Sequence, residues 1–130
     1  MTKEHINLTE AEWNIMECLW GRSPRTGREV TQEMEKAAGW NRSTTLTLLS
    51  RLEAKGAVSS NREGSKKTFS AVLQRDYAIM HETEDFLSRV YGGSLSLLVS
   101  SMTKKKALSQ KEINELYALL KGLEGGTEDA

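Results

Sequence analysis

Cysteine is nearly missing from this chain: Cys18 is the only one among 130 residues. An intramolecular disulfide is thereby excluded, and so is a thiol-rich metal site. Cys18 reads most simply as a small packing residue. Histidine is almost as scarce. His5 and His81 are the only two, and neither has a nucleophile or carboxylate partner at a telling spacing. No phosphate-binding glycine loop and no metal-ligand cluster can be found. Without any such constellation the chain reads as a non-enzyme with no cofactor and no metal. Net charge is also absent: 18 Lys+Arg balance 18 Asp+Glu, so no global pull acts toward nucleic acid or membrane. Met1 to Glu10 carries no apolar signal-peptide core, and no apolar run reaches membrane-spanning length. These absences predict a cytoplasmic, soluble protein with no membrane partner.

What is present is unevenly placed. Residues 42–67 hold six cations (Arg42, Arg51, Lys55, Arg62, Lys66, Lys67) against Glu53 and Glu63, a local net charge of +4. The segments on either side each carry −2. A basic centre between acidic flanks is the footprint of phosphate contact. The 38% of apolar residues supports one compact domain, or two small ones, with a modest core.

Helix signals come early. Thr9-Glu10-Ala11-Glu12 is a capping box with Leu8 and Trp13 at the staple positions. Trp13, Met16 and Trp20 then share a face, and Gly21 stops the run. Pro24, the only proline, marks a turn. Thr26-Gly27-Arg28-Glu29 is a second capping box. It opens a helix with Val30, Met34 and Ala37 at helical spacing, ended by Gly39. Asn41 caps a third helix that ends before Gly56.

The third helix has two differently dressed sides. Thr45, Leu48, Leu49 and Leu52 fall at i, i+3, i+4 and i+7 and make one core-facing stripe. Ser43, Thr47, Ser50 and Arg51 lie opposite, with Leu46 at the edge and no carboxylate among them. Short hydroxyls let a helix backbone come close to a major groove, and Arg can pair in bidentate fashion with guanine O6 and N7. Next come two β-leaning runs, Ala57–Ser60 and Thr68–Val72. Between them lies the cationic turn Asn61-Arg62-Glu63-Gly64-Ser65-Lys66-Lys67. Three short helices followed by a hairpin are the layout of a winged helix-turn-helix. The expected fold class is mainly α with a small β-hairpin, the winged domain occupying residues 1–73.

From Gln74 the pattern is helical again. Residues 74–124 are expected to form a helical dimerisation region, and 125–130 a flexible polar tail. Ser94 caps a short helix that is apolar nearly all round, and Leu108-Ser109-Gln110-Lys111-Glu112-Ile113 is a third capping box with staple residues. A piece of this size has a marginal core of its own. Pairing with a second copy would bury Tyr77, Met80, Phe86, Leu87, Val90, Tyr91, Leu95, Leu98, Val99, Met102, Ile113, Leu116 and Leu120. Groove-reading modules commonly work as such symmetric pairs.

In this order and spacing, the residues resemble the penicillinase-repressor family of bacterial transcriptional repressors. The resemblance spans about Leu8 to Leu123. It is carried by Glu12-Trp13 with Met16 and Leu19-Trp20, by Trp40 with Ser43-Thr44, and by Thr47-Leu48-Leu49-Ser50-Arg51-Leu52 with Lys55-Gly56. Phe86-Leu87, Gly93-Ser94-Leu95 and Leu108-Ser109-Gln110 with Glu112 and Leu116 extend it. The resemblance implies a homodimer that binds double-stranded DNA at palindromic operators with TACA/TGTA-like half-sites and controls a resistance or stress operon. The residues matched to DNA binding are Arg42, Ser43, Thr44, Leu46, Thr47, Ser50, Arg51, Arg62, Lys66 and Lys67. Arg51 suits guanine or phosphate, and Thr44 and Thr47 suit phosphate oxygens or thymine methyls.

Some positions depart from the family. Leu46 stands where relatives often have Lys, and it offers an apolar contact to thymine methyl instead. The wing cations are shifted to Lys66 and Lys67. The copper-responsive branch has paired Cys-x-Cys motifs that this chain lacks. The β-lactam-responsive branch, whose partner is a sensor-linked protease, is cut at an Asn-Phe bond; the aligned bond here is Ser101-Met102. Lys104-Lys105-Lys106 follows it as a solvated turn. Two other readings share the architecture: a winged-helix protein-interaction module, and a small-molecule-sensing regulator.

Overall fold

The computed structural model describes residues 6–105 and 108–127, with side chains to Glu124. His5, Lys106 and the last three tail positions, 128–130, lie outside the described residues. By contacts the chain divides into two compact units, Met1–Thr83 and Glu84–Ala130.

In the first unit, α1 (Glu10–Gly21), β1 (Arg25–Thr26), α2 (Gly27–Ala38) and α3 (Arg42–Lys55) precede a hairpin of β2 (Val58–Glu63) and β3 (Lys66–Ala71). Each helix starts where its cap predicts. Thr9 Oγ1 accepts from the Glu12 amide at 3.1 Å while Glu12 reaches back to the Thr9 amide at 2.8 Å. Thr26 and Glu29 repeat the same pair of bonds. Asn41 Oδ1 accepts from the Thr44 amide at 2.8 Å. Gly39 and Gly56 close α2 and α3 at φ of 72° and 87°, where a side chain would be strained. Ile15, Met16 and Leu19 of α1, Val30 and Met34 of α2, and Leu48, Leu49 and Leu52 of α3 form the core with Val58 and Phe69.

Two expectations about the hairpin are corrected. It is part of a three-stranded antiparallel sheet of order β1-β3-β2, because Arg25 and Thr26 pair with Phe69 and Thr68. The strands also sit closer to the turn, at 58–63 and 66–71 rather than the expected 57–60 and 68–72. Pairing continues to Glu63 opposite Lys66 and leaves only Gly64-Ser65 as the turn. Gly64, at φ 63°, supplies the left-handed conformation that a two-residue hairpin loop demands. Arg62, Lys66 and Lys67 are therefore strand residues held in register rather than loop residues.

The first unit also takes in the start of α4 (Arg75–Tyr91). Trp20 Nε1 donates to the Leu73 carbonyl at 2.8 Å, Arg75 pairs with Glu17 at 3.1 Å, and Ala78 is buried. The contact boundary thus falls after Thr83 rather than at the expected 73/74.

The second unit holds the rest of α4, then α5 (Leu95–Lys104) and α6 (Gln110–Thr127). Ser94 caps α5 by accepting from the Leu97 amide, and Ser109 with Glu112 forms the third capping box. The helix α6 runs through Gly125 and Gly126 to Thr127, so the tail expected from residue 125 is helical over its first part. Glycine weakens a helix interior by only about 1 kcal/mol per residue, which is not enough to end it. Among the described residues, no helix is long and apolar enough to cross a membrane.

Candidate nucleic-acid interface

The third helix turns its stripe inward as its spacing requires. Thr45, Leu48, Leu49 and Leu52 are buried, and Arg42, Ser43, Thr44, Thr47, Ser50 and Arg51 are exposed. At 3.6 residues per turn, Ser43, Thr47 and Ser50 form the crest opposite the core. Thr44 and Arg51 lie along one edge of that crest, and Arg42 and Leu46 along the other.

The Leu46 edge faces the wing. Arg42, Leu46 and Ser50 line a cleft whose other walls are Thr26, Gly27 and Arg28 at the start of α2 and Ser65, Lys66, Lys67 and Phe69 of the wing. Leu46 is half-buried and packs against the core. A Cβ added at Gly27 would lie 3.4 Å from Leu46 Cδ2 and 3.5 Å from Phe69 Cε1. Leu46 is thus chiefly a joint between helix and wing, less available to a thymine methyl than its sequence position suggests. Lys67 Nζ sits 5.4 Å from the centroid of the Phe69 ring, a cation–π contact that steadies it at the cleft.

In the first unit, most described cations off the α3 and wing face are paired, Lys36 being an exception. Arg22, Arg25, Lys55 and Arg75 are each paired with a carboxylate (Glu29, Glu33, Glu12 and Glu17). Arg28, Arg42, Arg51, Arg62, Lys66 and Lys67 have no ion pair among the described residues. Arg62 stands directly opposite Lys67 in the β2–β3 ladder. Like charges opposed across a strand pair destabilise the free hairpin, and a polyanion laid along it relieves that repulsion. Lys55, counted in the basic centre by sequence, is spent elsewhere: its Nζ donates to Glu12 Oε1 and to the Asn7 carbonyl at 2.7 Å. Burial pushes the Glu12 carboxyl up, but the Lys55 ammonium and the Thr9 amide outweigh it and hold the group below its ordinary value. Arg28 was missed by sequence reasoning. Its signal was a cation in the first turn of α2, where the helix dipole favours carboxylates.

The residues expected at a dimer interface are all incompletely covered. Tyr77, Met80, Phe86, Val90, Leu95, Met102, Ile113 and Leu120 are exposed, and Leu87, Tyr91, Leu98, Val99 and Leu116 are half-buried. Tyr117, Leu119 and Leu123 of α6 add exposures of 64%, 67% and 62%. No described side chain of the second unit belongs to the buried core. The Ser101–Met102 peptide lies inside α5, where Ser101 Oγ bonds Tyr91 Oη at 2.9 Å. A protease would need that turn unwound first. Burial raises the Cys18 thiol above its ordinary value, in keeping with a packing role. Among the described residues, no group of His, Cys, Asp and Glu is arranged to hold a metal ion.

Comparisons with known proteins agree with this geometry. The profile described as penicillinase repressor matches residues 8–122. The chain is 32% identical over 118 residues to the penicillinase repressor of Bacillus licheniformis, covering 91% of this chain and 92% of that protein. It is 25% identical over 120 residues to the methicillin resistance regulatory protein MecI of Staphylococcus aureus, covering 92% and 98%. Among solved structures, the DNA-binding domain of the repressor BlaI superposes with a TM-score of 0.51 at 28% identity, over 58% of this chain and 90% of that one. The Bacillus licheniformis BlaI monomeric form, solved in complex with the blaP half-operator, gives 0.50 at 28% identity, over 55% and 88%. With the profile covering nearly the whole chain and the winged helix matching in three dimensions, the protein belongs to the penicillinase-repressor family of DNA-binding transcriptional repressors.

Proposed function

We propose that this chain represses transcription as a homodimer on a palindromic operator with TACA/TGTA-like half-sites, controlling a resistance or stress operon. Each protomer lays the Ser43, Thr47 and Ser50 crest of α3 in a major groove. Arg51 reaches guanine or phosphate from its edge, and Arg42, Arg62, Lys66 and Lys67 grip the flanking backbone. The observation that carries this reading is the cluster of cations without carboxylate partners on the α3 and wing face, in a unit where Arg22, Arg25, Lys55 and Arg75 have them. Unpaired cations around a hydroxyl-lined helix suit a phosphate polyanion. The solved relative in which a monomeric form meets a half-operator supports one protomer per half-site. Pairing is supported by the second unit, whose α5 and α6 leave Leu95, Leu97, Leu119, Leu120 and Leu123 exposed.

Selection of bound genomic fragments tests the proposal. The expected result is an inverted repeat whose half-sites present successive major grooves, about 34 Å or a multiple of it apart. A single non-symmetric half-site bound by one chain overturns the homodimer reading. The genes beside the recovered sites identify the operon.

A further inference from the structure

The cleft between the start of α2, α3 and the wing meets the proposed base-reading crest only at Ser50. Its rim is cationic, from Arg28, Arg42, Lys66 and Lys67, and its floor is apolar, from Leu46 and Phe69. The four cations come from three separate elements, and no carboxylate lines the cleft with them. Glu29, the nearest acid in sequence to Arg28, is turned away: it bonds the Thr26 amide at 2.8 Å and lies 3.7 Å from Arg22. Glu63 stands opposite Lys66 in the ladder without lining the cleft. The capping box of α2 takes up the Thr26 and Glu29 amides, and the formal charge lining the cleft comes from the four side chains.

We infer that Arg28 is a further DNA-contacting residue, and that with Arg42, Lys66 and Lys67 it seats a stretch of phosphodiester backbone over the Leu46–Phe69 floor. The inference rests on the operator-binding reading above. An apolar floor under a cationic rim matches what a backbone presents, a sugar face beside charged phosphate oxygens. Leu46 and Phe69 act here as positioning residues. Through their packing around Gly27, they fix the distance between the α2 cation and the wing cations. Contacts of this kind carry no base information, so Arg28 raises affinity for any duplex and sets register for the crest.

The test compares wild type, Arg28→Ala and Arg28→Lys on the selected operator and on a random duplex across a salt series. Arg22→Ala, which removes a cation already paired with Glu29, is the control. Arg28→Ala is expected to weaken binding to both duplexes about five- to tenfold at moderate salt. It should also reduce the slope of log K against log salt by about one. Arg28→Lys restores most of the slope, and Arg22→Ala changes neither quantity. Arg28 is exposed and has no ion pair among the described residues, so thermal unfolding of the variant should match wild type and separate lost contact from lost fold. An unchanged slope for Arg28→Ala overturns the inference, as does a loss confined to the operator, which would mark base reading. Failure of wild type to bind either duplex would remove the operator reading itself, before any variant is compared.

Discussion

At the scale of single residues, charge is divided between holding the fold and leaving it free to bind. Glu12 is 1% exposed yet ionised, because Lys55 and the Thr9 amide are bonded to it. Its capping role was legible from Thr-x-x-Glu spacing; its tie to Lys55, 43 residues away, was not, since periodicity carries no information about contacts between helices. Glu12→Gln retains the capping geometry and removes only the charge. We expect urea titration at neutral pH to show a loss of about 1–3 kcal/mol, kept below the cost for a fully buried pair by solvent at Lys55. The pKa of Glu12 is lowered on folding from 4.5, so the charged pair stabilises above that value. The stabilisation is lost as pH falls through the folded-state pKa. The gap between variant and wild type should therefore close on acidification below about pH 4.5. Thr45 gives the opposite case. It is fully buried, and its Oγ1 has no hydrogen-bond partner among the described residues. Thr45→Val should raise stability by about 1 kcal/mol in the same titration.

At the scale of elements, caps and stripes in the sequence predicted α1, α2 and α3 almost to the residue, because both signals are local. The sheet was less legible. Two residues, Arg25 and Thr26, are too few to show alternation, and their pairing with β3 spans more than forty residues of sequence. The tight turn at Gly64-Ser65 was hidden among polar residues that also suit a long loop. Arg28 escaped notice because its relevance comes from the cleft and not from its neighbours in the chain. The same logic predicts the behaviour of α3. Ser50→Glu places a carboxylate at the crest without touching the buried stripe, so mobility-shift assays should show operator binding lost by at least about a hundredfold with the fold intact. Arg51→Ala should weaken operator binding more than random-duplex binding. Lys66→Ala should weaken both and lower the salt slope by about one. Equal losses on both duplexes for Arg51→Ala would assign that residue to the backbone.

At the scale of the whole molecule, the two units have opposite energetics. The first buries a continuous core from Ile15 to Ala78, whereas no described side chain of the second is buried and its Leu95, Leu97, Leu119, Leu120 and Leu123 are exposed. Helices that amphipathic gain stability by covering those faces, and a second copy of the chain is the occupant proposed here. Leu116→Asp with Leu120→Asp should shift sedimentation from twice the chain mass to the chain mass while leaving the near-ultraviolet signal of Trp13 and Trp20 unchanged. Such a monomer should lose operator affinity by orders of magnitude and retain weak half-site binding. Operator binding, as proposed above, places the α3 crest and the wing against DNA. Titration of isotope-labelled protein with a duplex carrying the selected inverted repeat tests it most directly. Amide shifts should concentrate at Ser43, Thr47, Ser50 and Arg51 and along the wing from Arg62 to Lys67, saturating at two chains per duplex. Saturable binding that leaves α3 and the wing unshifted, with the changes on another face, would contradict it.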